Sequence, residues 1–179
     1  MKLQHSTGIL LGVATVLVAT VTLVETQKGS QTHKGNTLYD FAEADVGSFT
    51  IDLEDRTLAF SKIDDTWQMT KPESTEADPS SIAFLLNILT SSIIEETITT
   101  TPDRLEAYGL DAPVATVNLQ VDEANYTLIV GDEDFSGAAL YVMPSKNNDE
   151  STQSIDIHLI SNELENGLER PLEDWKAKE

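Results

Sequence analysis

Apolar residues in this chain recur at two spacings, and the switches between them divide it into elements. Phe49, Ile51 and Leu53 alternate with polar neighbours, as do Leu58 with Phe60 and Trp67 with Met69. A period of two marks a half-buried strand, because successive side chains point to opposite faces. Glu54-Asp55 and Asp64-Asp65 supply the intervening turns, so this stretch predicts an antiparallel meander of three strands. The period then changes. Asp78-Pro79 offers a capping carboxylate with proline at the first helical position, and Ile82, Leu85, Leu86 and Leu89 follow at the i, i+3, i+4, i+7 spacing. That is an amphipathic helix with one face to lay on the sheet.

Farther along, a strand is predicted over 96–100. Thr101-Pro102 begins a short helix over 102–108 that Gly109 stops by turning left-handed. Strands over 116–121, 127–130, 139–142 and 155–159 come next, then a last short helix over 162–168 and Arg170-Pro171. Strands joined by tight turns and interrupted by helices predict an α+β domain, a mostly antiparallel sheet with packed amphipathic helices. The run KNNDESTQS at 146–154 has no periodicity and is expected to be an unstructured loop.

Before this domain the pattern is of another kind. Thr7 to Val24 reads TGILLGVATVLVATVTLV, 18 residues without a charge, behind a short head over 1–6 that contains Lys2. Eighteen uncharged, mostly apolar residues reach the threshold for spanning a bilayer core, and scattered Thr and Gly are tolerated in such a helix. One N-terminal transmembrane helix over 7–24 is therefore expected, with the lipid bilayer as its partner. Thr22-Leu23-Val24 lacks the small-x-small pattern that a signal peptidase reads, which favours retention over cleavage. Glu25 to Asn36, ETQKGSQTHKGN, has linker composition, and the domain is expected over 37–179.

Charge narrows the functional classes. The 179 residues hold 11 Lys+Arg against 31 Asp+Glu, a net charge of −20, and nucleic-acid backbones require the opposite balance. Lysines on both sides of the apolar segment leave the positive-inside rule nearly balanced. All but one of the acidic residues lie after residue 30, and such a domain gains nothing from an anionic cytoplasmic leaflet. A periplasmic or lumenal location is the expectation. With no cysteine, thiolate metal sites, iron–sulfur clusters and thiol nucleophiles are excluded.

The remaining chemistry-bearing residues have plain structural readings. Asp132, Asp134, Ser136 and Gly137 match the start of a calcium loop, but Met143 stands where the closing bidentate carboxylate belongs. An acidic hairpin turn between Val130 and Ala138 is the simpler reading. Alternation in Ile155-Asp156-Ile157-His158 places Asp156 and His158 together on a solvent face, opposite core-facing Ile155 and Ile157. The adjacent pairs Asp64-Asp65, Glu95-Glu96 and Asp122-Glu123 read as turn and strand-end chemistry, since neighbours on a strand diverge. Trp67 and Met69 read as core. No catalytic, cofactor or metal residue is assigned.

Several of these stretches carry a family likeness: Thr66-Trp67-Gln68-Met69 running to Pro72, Leu105, Tyr108-Gly109-Leu110-Asp111-Ala112-Pro113, Leu128-Ile129-Val130-Gly131, Leu140-Tyr141-Val142, and Arg170-Pro171-Leu172-Glu173-Asp174-Trp175. Together with the apolar N-terminus, they make the chain resemble the membrane-anchored bacterial family of domain of unknown function 4340, and most of all its short cyanobacterial-type members. The resemblance implies no established activity. It implies an accessory place beside ABC-2 type exporters or gliding-type systems, with a membrane transporter subunit as partner. The residues of Tyr108–Pro113 explain themselves through backbone: Gly109 ends a helix, Leu110 packs back, Asp111 turns the chain and Pro113 forbids helix beyond. A tethered, non-enzymatic interaction domain is the leading expectation. A module for a cation or small ligand, and a hydrolase using carboxylates, are the alternatives.

Overall fold

The structure, a computed structural model, describes residues 37–146 and 154–178. The expected head, anchor and linker over 1–36 lie outside the described residues, as does all of the expected loop but its ends. Among the described residues no helix is long and apolar enough to cross a membrane.

The expected meander is present as β1 (Val46–Leu53), β2 (Thr57–Ile63) and β3 (Thr66–Lys71), with a two-residue strand β4 (Thr75–Glu76) that the pattern did not foretell. Asp64 and Asp65 both take left-handed φ, 48° and 63°, as a tight two-residue hairpin demands. Helix α1 (Pro79–Ser91) follows, capped by the Asp78 carboxylate, which accepts from the Ser81 amide at 2.8 Å. That bond is the main reason the Asp78 carboxyl lies below its ordinary value. Next come β5 (Glu96–Thr100), a 3₁₀ helix η (Pro102–Tyr108), β6 (Ala115–Val121), β7 (Ala124–Glu133), β8 (Ala139–Lys146), β9 (Ile155–Ser161), the short helix α2 (Glu163–Leu168) and a closing 3₁₀ turn (Leu172–Trp175).

All nine strands join one sheet in the order β4-β3-β2-β1-β6-β7-β8-β9-β5, each neighbouring pair antiparallel. Because β4 and β5 are its two edges, the segment carrying α1 must cross the sheet from one side to the other. It does so over the apolar face. Ile82, Leu85, Leu86 and Leu89 bury against Phe49, Ile51, Leu58, Phe60, Val117 and Leu128 in a single core. Helix α2 packs beside α1, where a Cβ on Gly167 would stand 3.1 Å from Leu85 Cδ1.

Three expectations are corrected. Segment 102–108 is a 3₁₀ helix whose Thr101 makes no side-chain cap bond; its hydroxyl bonds to the Asp103 carboxylate instead, the foremost cause of that group's lowered pKa. Strands β7 and β8 run longer than predicted, since Gly131 and Pro144 interrupt the alternation without ending the pairing, and β9 continues to Ser161. The third correction concerns orientation. His158 pairs directly with Val142, a main-core residue, so His158 and Asp156 lie on the sheet face that carries the helices. Ile157, wholly buried, belongs to the opposite face together with Tyr141. Alternation separates the two faces without saying which one the helices share; Asp156 is exposed and Ile157 buried, as expected.

Two tryptophans terminate one row of rings. Trp67 meets Phe49 edge-on at 5.4 Å between centroids, Phe49 stacks on Phe60 at 4.8 Å, and Phe60 meets Trp175 at 5.1 Å. Trp175 is 0% exposed. Two hydrogen bonds hold its surroundings to the start of α1: the Asp78 amide donates to the Trp175 carbonyl at 2.8 Å, and the Ser81 hydroxyl to the Asp174 carbonyl at 2.6 Å. The Arg170 guanidinium covers Phe84 at 5.1 Å and Trp175 at 5.9 Å.

Trp175→Ala should therefore cost about 3–5 kcal/mol in urea unfolding. Trp175→Phe should cost distinctly less, because the indole N–H has no acceptor among the described residues and its removal relieves an unpaired buried donor. Equal losses in the two variants would contradict this packing.

Candidate functional site

The residues singled out by family likeness fall in two places. Trp67, half-buried, belongs to the aromatic row. Pro72 lies just past β3 after a cis bond with Lys71 and stands exposed. Tyr108, Gly109, Leu110 and Gly131 come together at a crossing of two backbones, η over β7. Asp111 is exposed beyond it, and Pro113 is half-buried on the approach to β6.

The crossing exists because two side chains are missing. A Cβ on Gly131 would overlap the Tyr108 carbonyl oxygen and stand 3.1 Å from the Leu110 side chain. A Cβ on Gly109 would overlap the Asp132 side chain and stand 2.7 Å from the Asp132 amide nitrogen. Gly109 also has φ 67°, left-handed, which ends η through the Leu110 amide donating to the Leu105 carbonyl at 3.1 Å. The tyrosine supports the contact sideways, its ring meeting Tyr141 of β8 edge-on at 5.0 Å. Burial, then the charge of Asp134, raises the Tyr141 pKa. The helix-stop role expected for Gly109 is present; the close approach to Asp132 was not foreseen.

This crossing underlies the base of the β7–β8 hairpin, whose tip is equally fixed. The Asp134 carboxylate accepts from the Ser136 hydroxyl at 2.9 Å and from the Ala138 and Ala139 amides at 3.1 Å each. Desolvation disfavours the Asp134 charge, but these bonds prevail and hold its carboxyl below the ordinary range. From outside the hairpin, Asn162 donates its side-chain amide to the Gly137 carbonyl at 2.7 Å and its backbone N–H to the Ala138 carbonyl at 3.0 Å. Phe135, at the apex, is 101% exposed. Sequence reading identified the acidic turn but passed over Phe135 and Asn162. The available signal was an isolated aromatic with no apolar residue within two positions on either side.

The other candidates separate. Among the described residues no group of three His, Asp or Glu is placed to hold a metal ion, and Asp134, the second carboxylate of the calcium match, is engaged with its own turn. Asp156 and His158 line an open depression of about 1170 Å³ with Tyr39, Tyr126 and Lys146, yet each is held by a threonine of β5. Thr99 donates to Asp156 at 2.7 Å, and Thr97 meets His158 Nδ1 at 3.0 Å. Burial lowers the His158 pKa, against the opposing charge of Asp156. Asp64-Asp65 and Asp122-Glu123 sit in hairpin turns, with Asp122 left-handed at φ 52°.

With this geometry in view, comparison with protein families is informative. The family model of Domain of unknown function (DUF4340) matches residues 67–179. The chain belongs to that family. Neither the curated proteins nor the solved structures return a match. The matched region holds both glycines of the crossing, the hairpin and the closing Trp175, and begins at Trp67 itself.

Gly131→Ala should destabilise the chain by about 1–3 kcal/mol, as overpacking against rigid backbone does. Gly109→Ala adds roughly 1–2 kcal/mol of left-handed strain to its own clash. Substituting exposed Gly47, whose Cβ would meet only a carbonyl at 3.9 Å, should change stability little. Similar losses at all three would remove the crossing as a special contact. In thermal melts of the chain, sodium chloride should stabilise by screening the −20 charge. Calcium at matched ionic strength should add nothing specific. A saturable one-to-one calcium isotherm at micromolar concentration would contradict the hairpin reading.

Proposed function

We propose that this chain is a single-pass membrane-anchored, non-enzymatic accessory domain that works outside the cytoplasm through surface contacts. The observation that carries the reading is the buttressed hairpin. Tyr108-Gly109-Leu110, from the most distinctive stretch of the family likeness, and Gly131, from another of its stretches, support the rigid presentation of an acidic projection. Rigid scaffolds that hold out a defined loop are built for recognition.

The apolar run of residues 7–24 supplies the tether. A segment with the composition of Glu25–Asn36 reaches on the order of 20 Å, about 5–6 Å × √n, which keeps the domain near the bilayer. Tethering raises the effective concentration of weak contacts with a neighbouring membrane subunit. An ABC-2 or gliding-type export system is the partner that the family resemblance suggests.

Affinity purification from native membranes should recover a multispanning permease or its auxiliary subunit. The domain freed of residues 1–36 should fold yet fail to restore a deletion phenotype. Full restoration by the freed domain, or turnover of a defined substrate by it, would replace this reading with a free binding module or an enzyme.

A further inference from the structure

We infer that Phe135 is a docking residue, received by an apolar pocket that lysine or arginine side chains border on a protein partner. The inference deepens the contact reading above and rests on it, but depends on neither the anchor nor the export system.

Exposed apolar side chains scattered on a surface need no explanation. Phe135 differs in how it is held. Its neighbours Asp134 and Gly137 are bolted from within the turn by Ser136, Ala138 and Ala139 and from outside by Asn162. Those bonds fix the backbone on both sides of Phe135, and so the point from which its ring projects, while the ring itself gives nothing to the core. Such preorganisation has a consequence for binding: the ordering cost is met before a partner arrives. Aromatic anchors of this kind enter fully desolvated pockets at the centres of interfaces.

Charge selects the partner. Exposed Asp132 and Glu133 precede the ring in sequence, within a chain of net charge −20. An anionic lipid surface repels that tip. A protein pocket rimmed by cations attracts it, steers the encounter and fixes its register.

The full-length protein carrying p-benzoylphenylalanine in place of Phe135, irradiated in intact cells of its native host, tests this directly. The expected product is one protein adduct whose sequenced segment is apolar with Lys or Arg flanking it. Glu133→Lys or 0.5 M sodium chloride should lower its yield, by about ten-fold for the charge reversal. Phe135→Ser should leave the melting temperature unchanged, which separates docking from folding. Adducts to lipid, to a second copy of the chain, or scattered over many proteins would overturn the proposal, as would a segment lacking cations, no adduct at all, or a lowered melting temperature for Phe135→Ser. A cation-rimmed partner that is no transporter subunit would leave the docking inference standing and refute the export-system reading alone.

Discussion

At Gly131 the outer face of the sheet has no side chain, and the carbonyl of Tyr108 occupies the space where one would be. Much that is distinctive in this domain follows from that contact. It fixes where the 3₁₀ helix crosses β7, and so brings Tyr108 onto Tyr141 and Gly109 onto Asp132. It also gives the β7–β8 hairpin a solid floor, without which the hydrogen bonds at the tip would order a turn that was itself free to swing. Protein interiors tolerate little overlap, so a Cβ at either glycine would force the two backbones apart.

The opposite face is organised by burial. Helix α1 crosses from the β4 edge to the β5 edge, and its apolar side closes the main core. The chain then returns to the starting edge, where Trp175 seals the aromatic row beneath the first turn of α1 and Ala77 bridges Lys176. The short edge β4 is thereby covered by the C-terminal segment, which protects unpaired strand groups from other chains. Among the described residues, helices α1 and α2 cover one face of the sheet and η covers part of the other.

Sequence periodicity revealed the parts whose stability is local. The alternation in β1 to β3, the Asp78-Pro79 start of α1 and the limits of β5 were all readable, because turn chemistry, capping and burial act over a few residues. What it missed depends on pairing across the fold. Nothing near Trp175 indicates that it meets Phe60, and nothing near Gly131 indicates the Tyr108 carbonyl. His158 and Asp156 do lie opposite the buried Ile157, as alternation predicts, but a period of two separates faces without saying which one the helices cover. The site was half legible. The acidic turn and the role of Gly109 as a helix stop could be read, whereas the outside bolt from Asn162 and the exposure of Phe135 belong to tertiary structure.

The central claim, that a backbone crossing holds the hairpin rigid, is tested most directly by amide hydrogen exchange resolved to single residues. In the unaltered chain the amides of Gly137, Ala138 and Ala139 should be protected nearly as well as those of β7 and β8. In Gly131→Ala that protection should collapse at the tip while the amides of α1 keep theirs. Free exchange at the tip of the unaltered chain, or a tip that Gly131→Ala leaves as protected as before, would contradict the account.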